Sequence, residues 1–502
     1  VIGVRVNTHL EIASETLTER QQEVVRAALT IPNPERIVAE REMVWDWESL
    51  PETIELWREE DGILRLPRGF ASQLGSTIRS EIWWEDERVS VPLAAVKKWR
   101  NPILRDYQEP AATAIVKSEQ GVYVAPTGSG KTVTVLETIR RIGQRSLVIV
   151  NNTHIARQWM DRAREHLGLC EDDIGLVGDG VWREAGITLA VQQTLWSRRD
   201  SLDGWWQTWG LVALDECHHV PANTFFDIIQ RFPALYRVGV SATPDKNVEL
   251  RSLVSASLGP VIHETEESVL VEAGVIERAS YEILNSDFSF TMWPTHRAKK
   301  DKKTGKLACE YQDRGCDRKG IVHRNNWTDL VAALVEDEDR NDLIAEAIAR
   351  HYNEGRAILV LSRRLKHLDE MARATIRRLG SAEDVYRLSG KEKTDEKMDL
   401  YERAEAGRLV IFSTIGDEAL DIPRLDTLVL AFPTKQGDLV RQQIGRVLRA
   451  HTRKALPVVV DVRDDVGTLV KHLKVRLGVY KSKKMSQRHQ VPSAYARDGE
   501  AA

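Results

Sequence analysis

From about residue 120 the chain alternates short apolar runs with longer stretches of helical period. Runs at 122–124, 147–150, 187–191, 211–214 and 237–240 are rich in Val, Ile and Leu and show no strict alternation with polar residues. Strands covered by helices on both faces have that pattern. Between the first two runs, Val135, Leu136, Ile139 and Ile142 fall on one helical face, so 132–142 is expected to be a helix. A second series follows at 357–361, 385–388, 409–412, 427–432 and 458–462. Two sets of five buried strands with helices between them predict two tandem α/β domains, each built on a parallel sheet. No short-period repeat is visible, which excludes a solenoid.

The rhythm breaks in two places. Residues 263–335 carry a Lys-, Gly- and Asp-bearing stretch that reads as an inserted hairpin or loop. The first 95 residues are acidic and Trp-rich (Trp45, Trp47, Trp57, Trp83, Trp84) and read as a small α+β unit. The expected organisation is an accessory domain at 1–95 that binds DNA or a protein partner, a first sheet domain at 96–262 and a linker with a basic insertion at 263–335. A second sheet domain follows at 336–480, and a disordered tail at 481–502.

Composition narrows the class. The 502 residues are 42% hydrophobic and 29% charged, as in globular proteins with ordinary cores. No apolar run approaches the ~18 residues of a membrane span, and the N-terminus lacks a charged-then-apolar signal pattern. Four cysteines do not make a disulfide scaffold and suit a reducing compartment. The expectation is a cytoplasmic protein without a membrane partner. The net charge of -4 argues against a wholly basic packaging protein, but it hides segregation. Residues 35–61 hold ten acids and three bases, 297–324 hold ten bases and four acids, and 471–488 hold seven bases and no acid. Two basic segments in an acidic chain point to a polyanion partner. Cys309 and Cys316, near His296 and His323, are spaced more widely than structural zinc pairs, which favours unpaired loop thiols over a metal site. His218 and His219 are neighbours in sequence and are likewise not expected to share an ion.

The candidate chemistry sits between the first strand and the first helix, in Ala125-Pro-Thr127-Gly128-Ser129-Gly130-Lys131-Thr132. Gly128 and Gly130 let backbone N–H groups turn inward around phosphate oxygens, and the helix N-terminus adds partial positive charge. Lys131 is expected on the β and γ phosphates, and the Thr132 hydroxyl in a Mg²⁺ shell. The run 211–214 ends in Asp215 and Glu216 at the same expected sheet edge. There Asp215 is placed to hold Mg²⁺ and Glu216 to polarise the attacking water. The expected ligands are therefore ATP and Mg²⁺.

Asp215-Glu216-Cys217-His218 after such a loop resembles the superfamily-2 helicases and translocases of the DExH-box class, over roughly residues 63–470. Within that superfamily, the Leu66-Pro-Arg-Gly69 lead-in and the His219-Val220 continuation look like one branch. It contains the excision-repair and transcription-factor helicase, phage recombination helicases and type III restriction motors. The resemblance implies two RecA-like domains and assigns Arg105-x-Tyr107-Gln108 to adenine reading. Ser241-Ala242-Thr243, with His218, would couple hydrolysis to nucleic-acid grip. Ser413-Thr414 and Glu418-Ala-Leu-Asp421-Ile-Pro423 match the motif touching nucleic acid and nucleotide, with Asp421 on the nucleotide side. Gln442-x-x-Gly445-Arg446-x-x-Arg449 matches the motif supplying arginine fingers, its two arginines on one face of a helix. Gln158, Thr194, Ser362, Arg363 and Thr414 are the implied nucleic-acid contacts.

Two departures stand out. Ala419 replaces a usual Gly, and Asn151-Asn152-Thr153 replaces the commoner Pro-Thr, where an amide and a hydroxyl can still meet phosphate. Lys299, Lys300, Lys302 and Lys303 of the insertion are expected to track a phosphate backbone. The implied activity is ATP-driven DNA translocation or unwinding, 3′ to 5′, on single-stranded or branched DNA. Phosphate contacts do not distinguish sugars, so RNA stays open. So does an ATP-switched subunit of a defence or restriction complex with little unwinding.

Overall fold

In the computed structural model the described residues are 1–42, 47–93, 99–217, 222–242, 248–290, 298–300, 307–309, 327–388, 400, 402–414 and 422–488. They fall into two compact units, Val1–Ala273 and Gly274–Ala502.

The first unit begins with a five-stranded sheet, ordered Arg58–Glu60, Ile63–Pro67, His9–Ala13, Ile2–Val6, Ile82–Asp86. Along Ile2–Val6 burial alternates, with Ile2, Val4 and Val6 inside and Gly3 and Arg5 outside, the period-2 signature of a one-sided sheet. A helix at Glu19–Ala28 covers the inner face, started by a capping box in which Thr18 and Gln21 satisfy each other's backbone N–H. The core formed by Leu10, Ile12, Leu64 and Leu66 also takes in Leu253 and Ala256, from the helix Val248–Leu258 of the parallel-sheet part. The N-terminal sheet and the parallel-sheet part therefore share one core.

Arg68 staples the two layers together. Its fully buried guanidinium donates to Gln120 Oε1 (2.7 Å), the Ala234 carbonyl (2.7 Å) and the Leu235 carbonyl (3.2 Å). Gly69 leaves room for the same contact, since a Cβ there would lie 2.2 Å from the Ser255 carbonyl oxygen. The Leu66–Gly69 signature is thus a packing device.

The eight-stranded sheet of this unit runs Val181–Arg183, Ile174–Gly178, Ile187–Val191, Ser146–Val150, Leu211–Leu214, Tyr236–Ser241, Gln120–Val124, Val261–Glu264. All neighbours are parallel except the first pair. The five expected strands occupy its centre. Apolar cores lie on both faces, one with Val148, Val150 and Trp159, the other with Leu147, Ile149 and Trp209.

The second unit holds a seven-stranded parallel sheet, ordered Val385–Leu388, Leu409–Thr414, Ala357–Ser362, Thr427–Leu430, Val458–Asp464, Ser280–Ser286, Ser486–Gln487. Two expectations change here. Residues 263–335 do not form one linker. Val261–Glu264 belongs to the first sheet, and Ser280–Ser286 pairs along its whole length with Val458–Asp464. Trp327–Glu336 is a helix whose Leu330 and Leu334 pack with Phe288 and Val466. Within the expected insertion, Ala298–Lys300 pairs antiparallel with Leu307–Cys309 as a hairpin. The expected tail from 481 begins inside the helix Gly467–Ser482 and continues into the strand Ser486–Gln487, while 489–502 lie outside the described residues. No helix among the described residues is long and apolar enough to cross a membrane.

Candidate nucleotide and nucleic-acid site

The strand Gln120–Val124 ends in the loop 125–130, and the helix Lys131–Ile142 starts directly after it with Gly130 as its N-cap. Gly128 (φ 88°) and Gly130 (φ 80°) take left-handed conformations, which a Cβ would strain. A Cβ on Gly130 would also meet Gln108 Nε2 at 2.4 Å. The residues before the loop hold it from behind. Gln108 Nε2–H donates to the Ser129 carbonyl (2.9 Å), and Tyr107 O–H donates to the same oxygen (2.9 Å). Arg105 Nη1–H donates to Tyr107 Oη (3.0 Å), and the Arg105 backbone N–H to Gln108 Oε1 (2.9 Å). Gln108 is held here by groups of the chain itself. Its side chain is buried, its amide committed to the phosphate-loop carbonyls and its carbonyl to the Arg105 backbone N–H. Arg105 is exposed, and Thr127 and Thr132 are half-buried along the loop.

Lys131 Nζ donates to the Ala125 carbonyl (3.1 Å) and lies 4.0 Å from Glu216 Oε1. Asp215 follows the strand Leu211–Leu214, which is separated from the phosphate-loop strand by Tyr236–Ser241, and its backbone N–H reaches the Ile149 carbonyl. Its carboxylate accepts from the Trp159 indole N–H (2.7 Å) and the Glu216 backbone N–H (3.0 Å). Loss of solvent, and then the Glu216 charge, push the Asp215 carboxyl up to about 6, the pattern of a site built for a cation. Glu216 itself has φ 46°, a left-handed conformation that costs a non-glycine residue on the order of 1 kcal/mol and recurs at functional sites. Its Oε2 accepts from the Ala242 backbone N–H (3.4 Å), beside buried Ser241 at the end of the strand Tyr236–Ser241. His218 and Thr243 lie outside the described residues.

The arrangement suits a nucleoside triphosphate. A helix N-terminus, Lys131 and a loop with glycines at 128 and 130 in left-handed conformations can cradle phosphates. Thr132 and Asp215 supply the hydroxyl and carboxylate that Mg²⁺ takes.

The expected nucleic-acid contacts divide. Gln158 lies on the helix Thr153–Leu167 with Nε2 3.0 Å from His154 Nε2. Thr194 lies on the helix Gln192–Arg198. Asn152 caps the helix after it, accepting the Ile155 backbone N–H (2.9 Å), so its carbonyl oxygen serves the fold. In the second unit Ser362 and Thr414 face each other at the same ends of paired strands. Ser362 is nevertheless fully buried, its hydroxyl 2.9 Å from His367 Nδ1, which corrects its side-chain contact. Arg363 next to it is exposed and donates to Gln436 Oε1 (2.5 Å). Lys299 and Lys300 fall on the hairpin strand Ala298–Lys300. Lys302, Lys303 and Asp421 lie outside the described residues.

Gln442 and Arg446 share a face of the helix Gly437–Val447. Arg449 does not, because the helix ends at Val447 and Arg449 bridges Ile276 instead. Its carbonyl accepts from Lys454 Nζ (2.7 Å), which also reaches the Pro423 carbonyl (3.3 Å). Burial holds that ammonium down to about 8. Trp159, His367 and Lys454 were not found from sequence. The available signal was that a buried Trp, Tyr or Lys needs a polar partner.

His367 gives a pH test. Its Nε2 is 3.0 Å from Asn341 Oδ1, and burial, then Arg340, lower its pKa from 6.5 to about 3. The folded imidazole is neutral where the unfolded one binds a proton. The stability it contributes is therefore complete above pH 6.5 and declines as pH falls toward 3. From pH 7 to pH 5, wild type should lose about 2 kcal/mol more than His367→Gln in urea unfolding. Equal losses would mean that His367 is not buried neutral.

Comparison with known proteins gives the same outline. The family model described as type III restriction enzyme, res subunit, matches residues 101–246, and that of the helicase conserved C-terminal domain matches 339–451. The chain is 26% identical over 374 residues to the DNA 3′-5′ translocase XPB2 of Sulfurisphaera tokodaii, covering 70% of this chain and 80% of that protein. It is 27% identical over 362 residues to the putative DNA 3′-5′ helicase Rad25 of Haloarcula marismortui, covering 69% of this chain but 50% of that one. The Saccharomyces cerevisiae Dbp5 structure bound to RNA and ADP BeF3 matches with a TM-score of 0.51 at 13% identity, over 77% of this chain and 90% of Dbp5. That likeness concerns the fold, two RecA-like domains in tandem.

Proposed function

This chain belongs to the superfamily-2 helicases, in their DExH-box class, and from that premise we propose that it is an ATP-driven DNA translocase or helicase running 3′ to 5′. The observation that carries the reading is the meeting of Lys131 and Glu216, 4.0 Å apart, beside the Asp215 carboxylate at the end of another parallel strand of the same sheet. In this reading Lys131 and the loop N–H groups orient the phosphates, and Glu216 accepts the proton of the attacking water. Thr132 and Asp215 would hold Mg²⁺, which when bound neutralises phosphate charge. Gln442, Arg446 and Arg449 are assigned to the transferring phosphoryl group, and Asp421 to the nucleotide. Gln158, Thr194, Arg363, Thr414 and the lysines 299, 300, 302 and 303 are assigned to the strand. Ser241, Thr243 and His218 are assigned to coupling.

The substrate proposed is single-stranded or branched DNA, with the acidic N-terminal sheet offering a surface to a protein partner and the cytoplasm as compartment. The names of the two archaeal relatives favour DNA and the stated polarity. A second reading, RNA, has one specific support. The chain is 23% identical over 389 residues to a putative ATP-dependent RNA helicase, L396, of Acanthamoeba polyphaga mimivirus.

Displacement of streptavidin from biotin placed at either end of an oligonucleotide tests direction. The proposal expects ATP-dependent clearance of the 5′ end only. Clearance of the 3′ end, or of RNA alone, would replace it.

A further inference from the structure

The carboxylate expected to hold Mg²⁺ is gripped by a side chain outside the motifs named above. Trp159 lies on the helix Thr153–Leu167, nearly buried in the core beneath the parallel sheet. Its indole N–H points at Asp215 Oδ2 from 2.7 Å. The second oxygen, Oδ1, accepts from the Glu216 backbone N–H at 3.0 Å. The carboxylate is therefore fixed in rotation by one donor on each oxygen, and each oxygen keeps a lone pair for a metal or its water. The backbone is fixed too, because the Asp215 N–H extends the ladder to the Ile149 carbonyl on the strand that leads into the Trp159 helix.

Packing alone does not require this bond. Trp206 and Trp209, buried in the same unit, leave their indole nitrogens without a hydrogen-bond partner. Trp159 fills the core as they do, yet it delivers its N–H to the carboxylate at the catalytic edge.

We propose that Trp159 is a positioning residue, whose indole N–H orients the Asp215 carboxylate for the divalent metal of the bound nucleotide. The inference rests on the ATP–Mg²⁺ reading of the site. Partners of this kind set metal affinity by fixing the ligand's orientation, and their loss typically costs about 10- to 100-fold.

The test is the affinity of the 502-residue chain for a methylanthraniloyl-labelled ADP, measured in EDTA and across a Mg²⁺ titration. Trp159→Phe keeps an aromatic ring in the core and removes the N–H. It should bind the nucleotide in EDTA as wild type does, because the phosphate loop is untouched. The Mg²⁺ concentration that half-maximally tightens binding should rise about tenfold or more. A variant that follows the wild-type Mg²⁺ curve overturns the proposal. A wild-type affinity that ignores Mg²⁺ would instead overturn the ATP–Mg²⁺ reading itself, so the two failures are distinguishable.

A second measurement covers the case in which the variant does not fold. In wild-type protein labelled at the tryptophan nitrogen, one indole N–H resonance should move when Mg²⁺ is added to the nucleotide complex. The same resonance should move in Asp215→Ala. Indole resonances that all stay in place in Asp215→Ala would also overturn the proposal.

Discussion

Glu216→Gln should bind ATP with near wild-type affinity and lose its turnover, with kcat falling by about 10²- to 10⁴-fold. The amide is nearly isosteric with the carboxylate and leaves Lys131, the loop glycines and Asp215 in place, so the cradle survives. What disappears is the acceptor for the water's proton. The backbone supports the separation of roles, since Glu216 holds its left-handed conformation with its N–H on Asp215 and its carboxylate against the Ala242 N–H. Lys131→Ala should also stop turnover, but through the phosphates, and so should weaken nucleotide binding as well. Phosphate release and equilibrium binding of a labelled nucleotide check both variants. Normal turnover in either purified protein would remove the catalytic assignment.

Arg449→Ala should lower kcat by on the order of 10³-fold or more while changing ATP affinity far less. A cation that acts on charge developing in the transition state contributes little to ground-state binding. Arg449 stands just beyond the helix Gly437–Val447, its backbone held by the Ile276 bridge and by Lys454. That support orders the main chain and leaves the guanidinium's role to be read from kinetics. Steady-state turnover at saturating ATP, beside the affinity measurement, separates the possibilities. An unchanged kcat with weakened binding would make Arg449 a structural residue.

The parts of the fold that were legible from sequence share one physical property. Strands such as Ile187–Val191 and Leu211–Leu214 are buried on both faces, so burial writes itself into the sequence as an unbroken apolar run. Ser280–Ser286 escaped because it carries Glu282 at a buried position, compensated by Arg350 and His351, and has polar ends. An ion-paired acid in a core looks in sequence like an exposed one. The strand Val261–Glu264 is half exposed at a sheet edge and short enough to resemble a loop.

The phosphate loop and the Asp215–Glu216 pair were legible because their chemistry fixes residue types at fixed spacing, flanked by a strand and a helix. Side-chain direction was not. Gln108 turned toward the loop backbone, Ser362 toward His367, and Asn152 toward its own helix. A local cap or a buried partner satisfies a polar group as well as a ligand does, and spacing alone does not tell the two apart. Arg449 shows the same limit for elements, since the i, i+3 pattern continued past the point where the helix stopped.

ATP hydrolysis measured with the full chain alone, and then with single-stranded DNA, duplex DNA, a fork and RNA of matched length, tests the central claim most directly. The account predicts low basal turnover, strong stimulation by single-stranded or forked DNA, and weaker stimulation by RNA. Turnover that no nucleic acid changes would contradict it, because the site would then hydrolyse ATP without a strand to move.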